Sequence, residues 1–171
     1  MAGIGFNASQ AWQPEVYVKY GIVNRIPCTV SSSYTGTFKN GTVVGLTGNY
    51  EVSNTIGGLA LGIAVAQNQV DYTNPANLSV SVMIPTPGAV VSVPVSCFAS
   101  GASIAVNAFV YANSQGELVT DSTKSFNAML ASAVCAFAQI IAVDQEYADL
   151  IFPTAGQTTL FPTGNSTGSS N

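Results

Sequence analysis

Leu78-Ser79-Val80-Ser81-Val82 and Ala89-Val90-Val91-Ser92-Val93-Pro94-Val95, separated by Pro85-Thr86-Pro87-Gly88, form the most regular pattern in the chain. Apolar residues alternate with small polar ones at a period of two. That is how a strand sets one face on a core and the other toward water. A turn at Gly101 follows, then Val106-Asn107-Ala108-Phe109-Val110-Tyr111 and a last turn at Gln115-Gly116. Proline presets φ and glycine accepts φ > 0, so the Pro-Gly and Gln-Gly pairs punctuate turns. Residues 78–119 therefore read as a meander of strands, with the flanking segments as two halves packed around it.

Upstream, from Gly21, short β segments at 22–23, 26–30, 42–46 and 59–66 alternate with turn signals at Asn40-Gly41, Gly48-Asn49, Gly57-Gly58 and Asn74-Pro75. This spacing favours a sandwich or barrel over an α/β sheet. The halves also resemble each other. Thr42-Val43-Val44, leading to Tyr50-Glu51-Val52, matches Ala108-Phe109-Val110, leading to Glu117-Leu118-Val119. Residues 63–67 match 141–145, and each half closes on a short strand, 78–82 and 150–152, with an insertion in the second near 121–130. Units too small to bury their own faces pack together, which makes the 78–119 stretch the seam between them. Phe126, Leu130, Val134, Phe137 and Ile141 fall near helical spacing, so a short helix is expected around 125–132, with 138–143 extended again. The expected fold is mainly β: one barrel- or sandwich-like domain over residues 21–152, built of two similar units with at most one short helix. An extended arm over 1–20 precedes it, and a flexible polar tail over 153–171 follows.

Charged residues make up 7% of the 171-residue chain, against about 25% in ordinary globular proteins. Serine, threonine, asparagine, glutamine and glycine, or other protein, must cover the surface that charge normally covers, which points to a chain that sits in an assembly. Four Lys/Arg against eight Asp/Glu give a net charge of −4. This lacks the basic footprint of a nucleic-acid binder. There is no histidine, so Ser-His-Asp, Cys-His and His-metal constellations are excluded together. Cys28, Cys97 and Cys135 are odd in number and far apart, and read as buried, inert thiols rather than a disulfide framework. The segment Met1-Ala2-Gly3-Ile4-Gly5-Phe6 has neither the basic nor the apolar region of a signal peptide, and the longest apolar run, 131–143, is too short to span a bilayer. A soluble product made in a cytoplasm is expected, which makes the sequons at Asn7, Asn40, Asn77 and Asn165 fortuitous.

Asp144, Glu146 and Asp149 form the one carboxylate cluster in the sequence. Paired carboxylates can do acid/base work or hold calcium. Their spacing misses the calcium-loop signature, however, and the half-to-half match puts them in a turn between the last two strands, where a solvated loop is expected. Asp71 and Asp121 read as isolated turn residues. Gly57, Gly58 and Gly62 lack the Lys-Ser/Thr of a phosphate loop and read as bends or close approaches. No catalytic, cofactor or metal site is expected. Phe6, Trp12, Tyr17 and Tyr20 in the arm, with Leu160 and Phe161 in the tail, are the candidate assembly contacts, because aromatics bring much buried area at low entropy cost. Trp12 and Tyr17 either lie over another surface or cap this domain's own core; the sequence leaves both open.

The order of features resembles the small capsid decoration, or cement, proteins of tailed bacteriophages. The features are Asn40-Gly41-Thr42-Val43-Val44-Gly45-Leu46, Leu61-Gly62-Ile63-Ala64-Val65, the valine strand at 79–82, the element from Pro87 to Val95, the turn Ser100-Gly101-Ala102, Phe109-Val110-Tyr111-Ala112, and Gln115-Gly116-Glu117-Leu118-Val119. The resemblance leaves out the arm and tail and departs around 121–130. It implies a mainly β virion protein, commonly trimeric, that sits on the outer surface of a phage head and clamps neighbouring major-capsid subunits. The residue inventory adds the expectation of no enzymatic activity, no nucleic-acid or membrane partner and no cofactor. Another virion component, such as a tail tube, spike base or fibre head, would show the same β composition. A hydrolase with an Asp/Glu site and a cell-surface adhesin are the readings from other classes.

Overall fold

The alternation seen in sequence folds into eleven strands in the computed structural model, which describes residues 14–54, 61–67, 72–121 and 138–152. The strands are β1 (Tyr17–Tyr20), β2 (Val23–Val30), β3 (Thr42–Gly48), β4 (Glu51–Ser53), β5 (Gly62–Ala66) and β6 (Ser79–Pro85), then β7 (Val90–Pro94), β8 (Phe109–Ala112), β9 (Leu118–Asp121), β10 (Ala138–Val143) and β11 (Tyr147–Ile151). The helix expected at 125–132 lies outside the described residues, as do Cys135, Gly57, Gly58 and the tail. Among the described residues the helical element is a single 3-10 turn, Val95–Cys97.

Strands β2-β4-β3-β5-β6 close into a barrel, and β1-β7-β11-β10-β8-β9 form a six-stranded sheet. The chain starts in the sheet with β1, enters the barrel at β2 and returns to the sheet at Pro85-Thr86-Pro87-Gly88. That break is a crossing between units, where the sequence pattern read a turn within a meander. Pro27 sits inside β2 without costing a ladder bond. The Thr29 and Ser31 amides, on the same side of the strand, donate to Tyr50 and Val52, but β4 pairs β2 only at Thr29 and Val30. The missing N–H of Pro27 therefore faces a stretch with no β4 partner.

The two bodies repeat one connectivity. Val44 pairs with Gly62 in the first and Val110 with Ala138 in the second. Leu46–Val52 corresponds to Ala112–Leu118, and Ala64–Val82 to Ile140–Leu150. The parallel Val30–Val52 pair that closes the barrel corresponds to a single parallel bridge, Phe98–Leu118, in the second body. The inward residues Val44, Val52, Ala64 and Val82 are fully buried, as are their counterparts Val110, Leu118, Ile140 and Leu150. Even the unusual backbone recurs: Gly41 and Asn107, just before β3 and β8, both have positive φ, and so do Tyr50 and Gly116 after them. The strand-to-strand matching from sequence is correct for all four strands, but its register slips. Val52 corresponds to Leu118 rather than Val119, and Ile63 to Gln139 rather than Ile141.

The second body is the more open one, because the Val95–Cys97 turn interrupts the run between β7 and the closing bridge. Its core is completed by the outer wall of the first. Val43, Ile63 and Met83, outward-facing on the barrel, join Val91, Val93, Phe98, Leu118, Ile140 and Leu150 in one cluster. A separate cluster of Val30, Phe38, Val44, Val52, Val80 and Val82 fills the barrel itself.

Tyr50 has φ 54° and is 68% exposed. A left-handed conformation costs an L-residue roughly 1–2 kcal/mol, and the equivalent position in the second body is Gly116. Replacing Tyr50 with glycine is therefore expected to stabilise the chain by about 1 kcal/mol, read as a higher urea midpoint; an unchanged or lower midpoint would mean that the ring itself holds the hairpin.

Candidate assembly surface

Strand β1 carries two of the aromatic residues singled out from sequence. The last four residues of the expected arm are this strand, paired antiparallel with β7. Alternation explains it: Val16 is buried and Val18 half-buried against the second core, which turns Tyr17 outward, 40% exposed. Tyr20, at 67%, projects at the strand end. Of the two places open to Tyr17 in the sequence, the structure gives it not the core but the outer face of the sheet. Phe6, Trp12, Leu160 and Phe161 lie outside the described residues.

Tyr17 meets Tyr147 of β11 edge to face, ring centroids 5.4 Å apart and planes at 62°, a favoured aromatic geometry. Beside them Lys19 donates to the Asp149 carboxylate at 2.6 Å. The fully buried Ser92 hydroxyl donates to the other carboxylate oxygen of Asp149. One carboxylate thereby clasps β1, β7 and β11 together. The hydrogen bond from Lys19 to Asp149 raises the pKa of the ammonium. Ser92 is sealed from solvent, so the trio is a structural clasp rather than a nucleophile with its base.

The carboxylate cluster of the sequence does not converge. Asp144 sits at the β10–β11 turn, where its Oδ1 accepts from the amides of Glu146 at 2.8 Å and Tyr147 at 2.7 Å. Those two bonds, Glu146 first, hold its carboxyl below the usual range. Glu146 points to solvent. Asp149, expected in a solvated loop, is instead a buried strand residue, because its period-two position faces Lys19 and Ser92. Among the described residues no group of three or more Cys, Asp or Glu side chains is arranged to hold a metal ion.

Where the bodies meet, a polar groove of about 360 Å³ is lined by Tyr34, Thr35, Thr37, Lys39, Gln115 and Glu117, among others. Lys39 approaches Glu117 across it at 3.9 Å. Asn54 spends its amide on the Thr35 backbone, accepting at 3.0 Å and donating at 2.8 Å. Cys97 donates its S–H to the Asn40 carbonyl at 2.7 Å. Both Cys28 and Cys97 are free and buried, the state read for them from composition.

Tyr147, Glu15 and Lys19 escaped the sequence reading. The signal was there in part, since the alternation of Val16 and Val18 orients Tyr17 and Lys19 outward; the partner across the sheet was not. Among the described residues no helix is long and apolar enough to cross a membrane. No protein-family model matches the chain, and no curated protein sequence matches it significantly.

Proposed function

We propose that this chain is a structural virion subunit of the capsid-decoration class, without enzymatic activity. It binds the outer surface of a phage head as a homo-oligomer, a trimer, and bridges neighbouring major-capsid subunits. The observation that carries the reading is the outward aromatic face of β1. Tyr17 and Tyr20 stand exposed on a strand held by the Asp149 clasp, and the sequence immediately before that strand holds Phe6 and Trp12. Aromatic anchors on a rigid wall give binding energy at small entropy cost. The sparse charge of the chain and its resemblance to cement proteins point the same way.

Purified protein should run as a discrete oligomer by light scattering and co-sediment with mature, expanded heads of the encoding phage. Deleting residues 1–15 should weaken head binding or oligomerisation more than it lowers the urea midpoint. A strict monomer that leaves expanded heads bare sinks the proposal, and label found on the tail of intact particles moves it to another virion structure.

A further inference from the structure

We infer that the corner built on Tyr17 and Tyr147 docks a basic, Lys/Arg-bearing face of a partner protein, an inference that rests on the assembly reading and names the chemistry of the partner. In a chain with eight carboxylates and four cations, Glu15, Asp144, Glu146 and Asp149 gather about this one pair of rings, with Lys19 the cation beside them. Four carboxylates less one ammonium make three of the net four negative charges of the chain. Asp149 is occupied by Lys19 and Ser92, which leaves Glu15, Asp144 and Glu146 exposed around the tyrosines. Their proximity is felt by the ring: burial first, then Tyr17, Glu146, Glu15 and Asp144, raise the pKa of the Tyr147 phenol.

An aromatic centre with a charged rim is the anatomy of a protein-binding patch, in which the apolar anchors supply affinity and the rim supplies steering and register. The sign of the rim selects the occupant. A second copy would bring the same acidic rim against this one, and like charges brought together oppose a symmetric contact. Guanidinium and ammonium groups meet both features at once, pairing with the carboxylates and stacking on the tyrosine faces.

The test uses the full chain, with a short alternating Arg-Tyr peptide as probe and an alternating Glu-Tyr peptide as its control, followed by amide chemical-shift mapping. The Arg-Tyr peptide should shift the amides of residues 15–20 and 144–149, with affinity falling as salt rises. Glu15→Lys with Glu146→Lys should weaken it by roughly tenfold or more. Tyr147→Ser should weaken it at unchanged rim charge, and Glu51→Lys, in the first body, should leave it unaltered. The inference is overturned by absent binding, by equal response to the Glu-Tyr peptide, by equal weakening from Glu51→Lys, or by self-association that covers Tyr147. Expanded heads separate the two proposals. Wild-type protein that binds heads and is matched by the double charge reversal ends this inference alone. Protein that binds the peptide at the corner but never binds heads ends the decoration reading and keeps the corner.

Discussion

Gly116→Ala is expected to cost about 3 kcal/mol of stability, while Gly101→Ala costs only about 1. Both glycines have positive φ, 76° and 84°, so both substitutions force a side chain into the left-handed region at similar conformational cost. They differ in what surrounds them. A Cβ on Gly101 meets nothing, whereas one on Gly116 runs into the Val43 carbonyl oxygen, with Thr42 Cγ2 at 2.9 Å and Asn54 Cβ at 3.1 Å. The obstacle is backbone in a paired strand and cannot swing aside. The Val43 amide also donates to the Gly116 carbonyl at 2.8 Å, so relief of the clash strains that bond. Overpacking of this kind costs roughly 1–3 kcal/mol beyond the φ penalty. Urea unfolding of the two variants measures the difference, and equal losses would show that the close approach of the two bodies contributes nothing. Because Gly116 touches the first body from the second, amide exchange should quicken first along β8 and β9 in Gly116→Ala.

That contact also marks what could be read from the sequence and what could not. Strand positions were legible in β6, where burial of one face imposes a period of two. They were legible in β3 and β7 as short runs of branched residues between turn signals, although both faces of β7 and of the first half of β3 are buried. The likeness of the halves was legible for the same reason. Its register was not. Val52, Leu118 and Val119 are all branched apolar residues, and only the closing pairs Val30–Val52 and Phe98–Leu118 decide which of them faces inward. A one-residue slip exchanges the two faces of a strand, so a matching of letters alone could not fix it. Pro85-Thr86-Pro87-Gly88 was legible as a break but not as a passage between bodies, since turn chemistry is local and says nothing of which sheet takes the next strand. The short β1 was legible in the alternation over 16–23, inside the glycine- and aromatic-rich arm, but its pairing with β7 was not. In the candidate surface Tyr17 and Tyr20 were legible as unplaced aromatics. Tyr147 was not, because β11 brings it to Tyr17 from far along the chain. Glu15 lies two residues from Tyr17, but its place on the rim shows only once Tyr147 and the turn before β11 are beside it. Asp149 was grouped with Asp144 and Glu146 by proximity in sequence. Strand alternation separates it from them and gives it to Lys19, far away in the chain.

Alkaline pH should unfold this chain progressively, and Cys97 should be the largest single cause. The thiol is buried between the bodies, bonded to the Asn40 carbonyl and packed against Gly41. Burial pushes its pKa from 9.0 up to about 12, against a smaller opposing pull from Lys39. The folded state holds the proton that the unfolded state releases above 9. The thiol therefore leaves stability unchanged below 9 and lowers it by about 1.4 kcal/mol per pH unit between 9 and 12, about 4 kcal/mol in all. Tyr34, Tyr72 and Cys28 are raised by burial, and Lys19 by its bond to Asp149. Each of these folded pKa values lies above its unfolded value, so each adds to the same downward slope once pH passes the unfolded pKa. Urea midpoints of wild type and Cys97→Ala, taken from about pH 7 to about pH 11, isolate the thiol. Cys97→Ala should begin less stable, since it opens a small cavity and leaves the Asn40 carbonyl without its donor. It should then lose stability more slowly as pH rises, so that the two curves converge. Parallel curves would assign the alkaline slope to Cys28, the tyrosines and Lys19. In wild type the same burial should keep Cys97 unreactive toward iodoacetamide at neutral pH until the chain unfolds, so alkylation at this position reports opening of the seam.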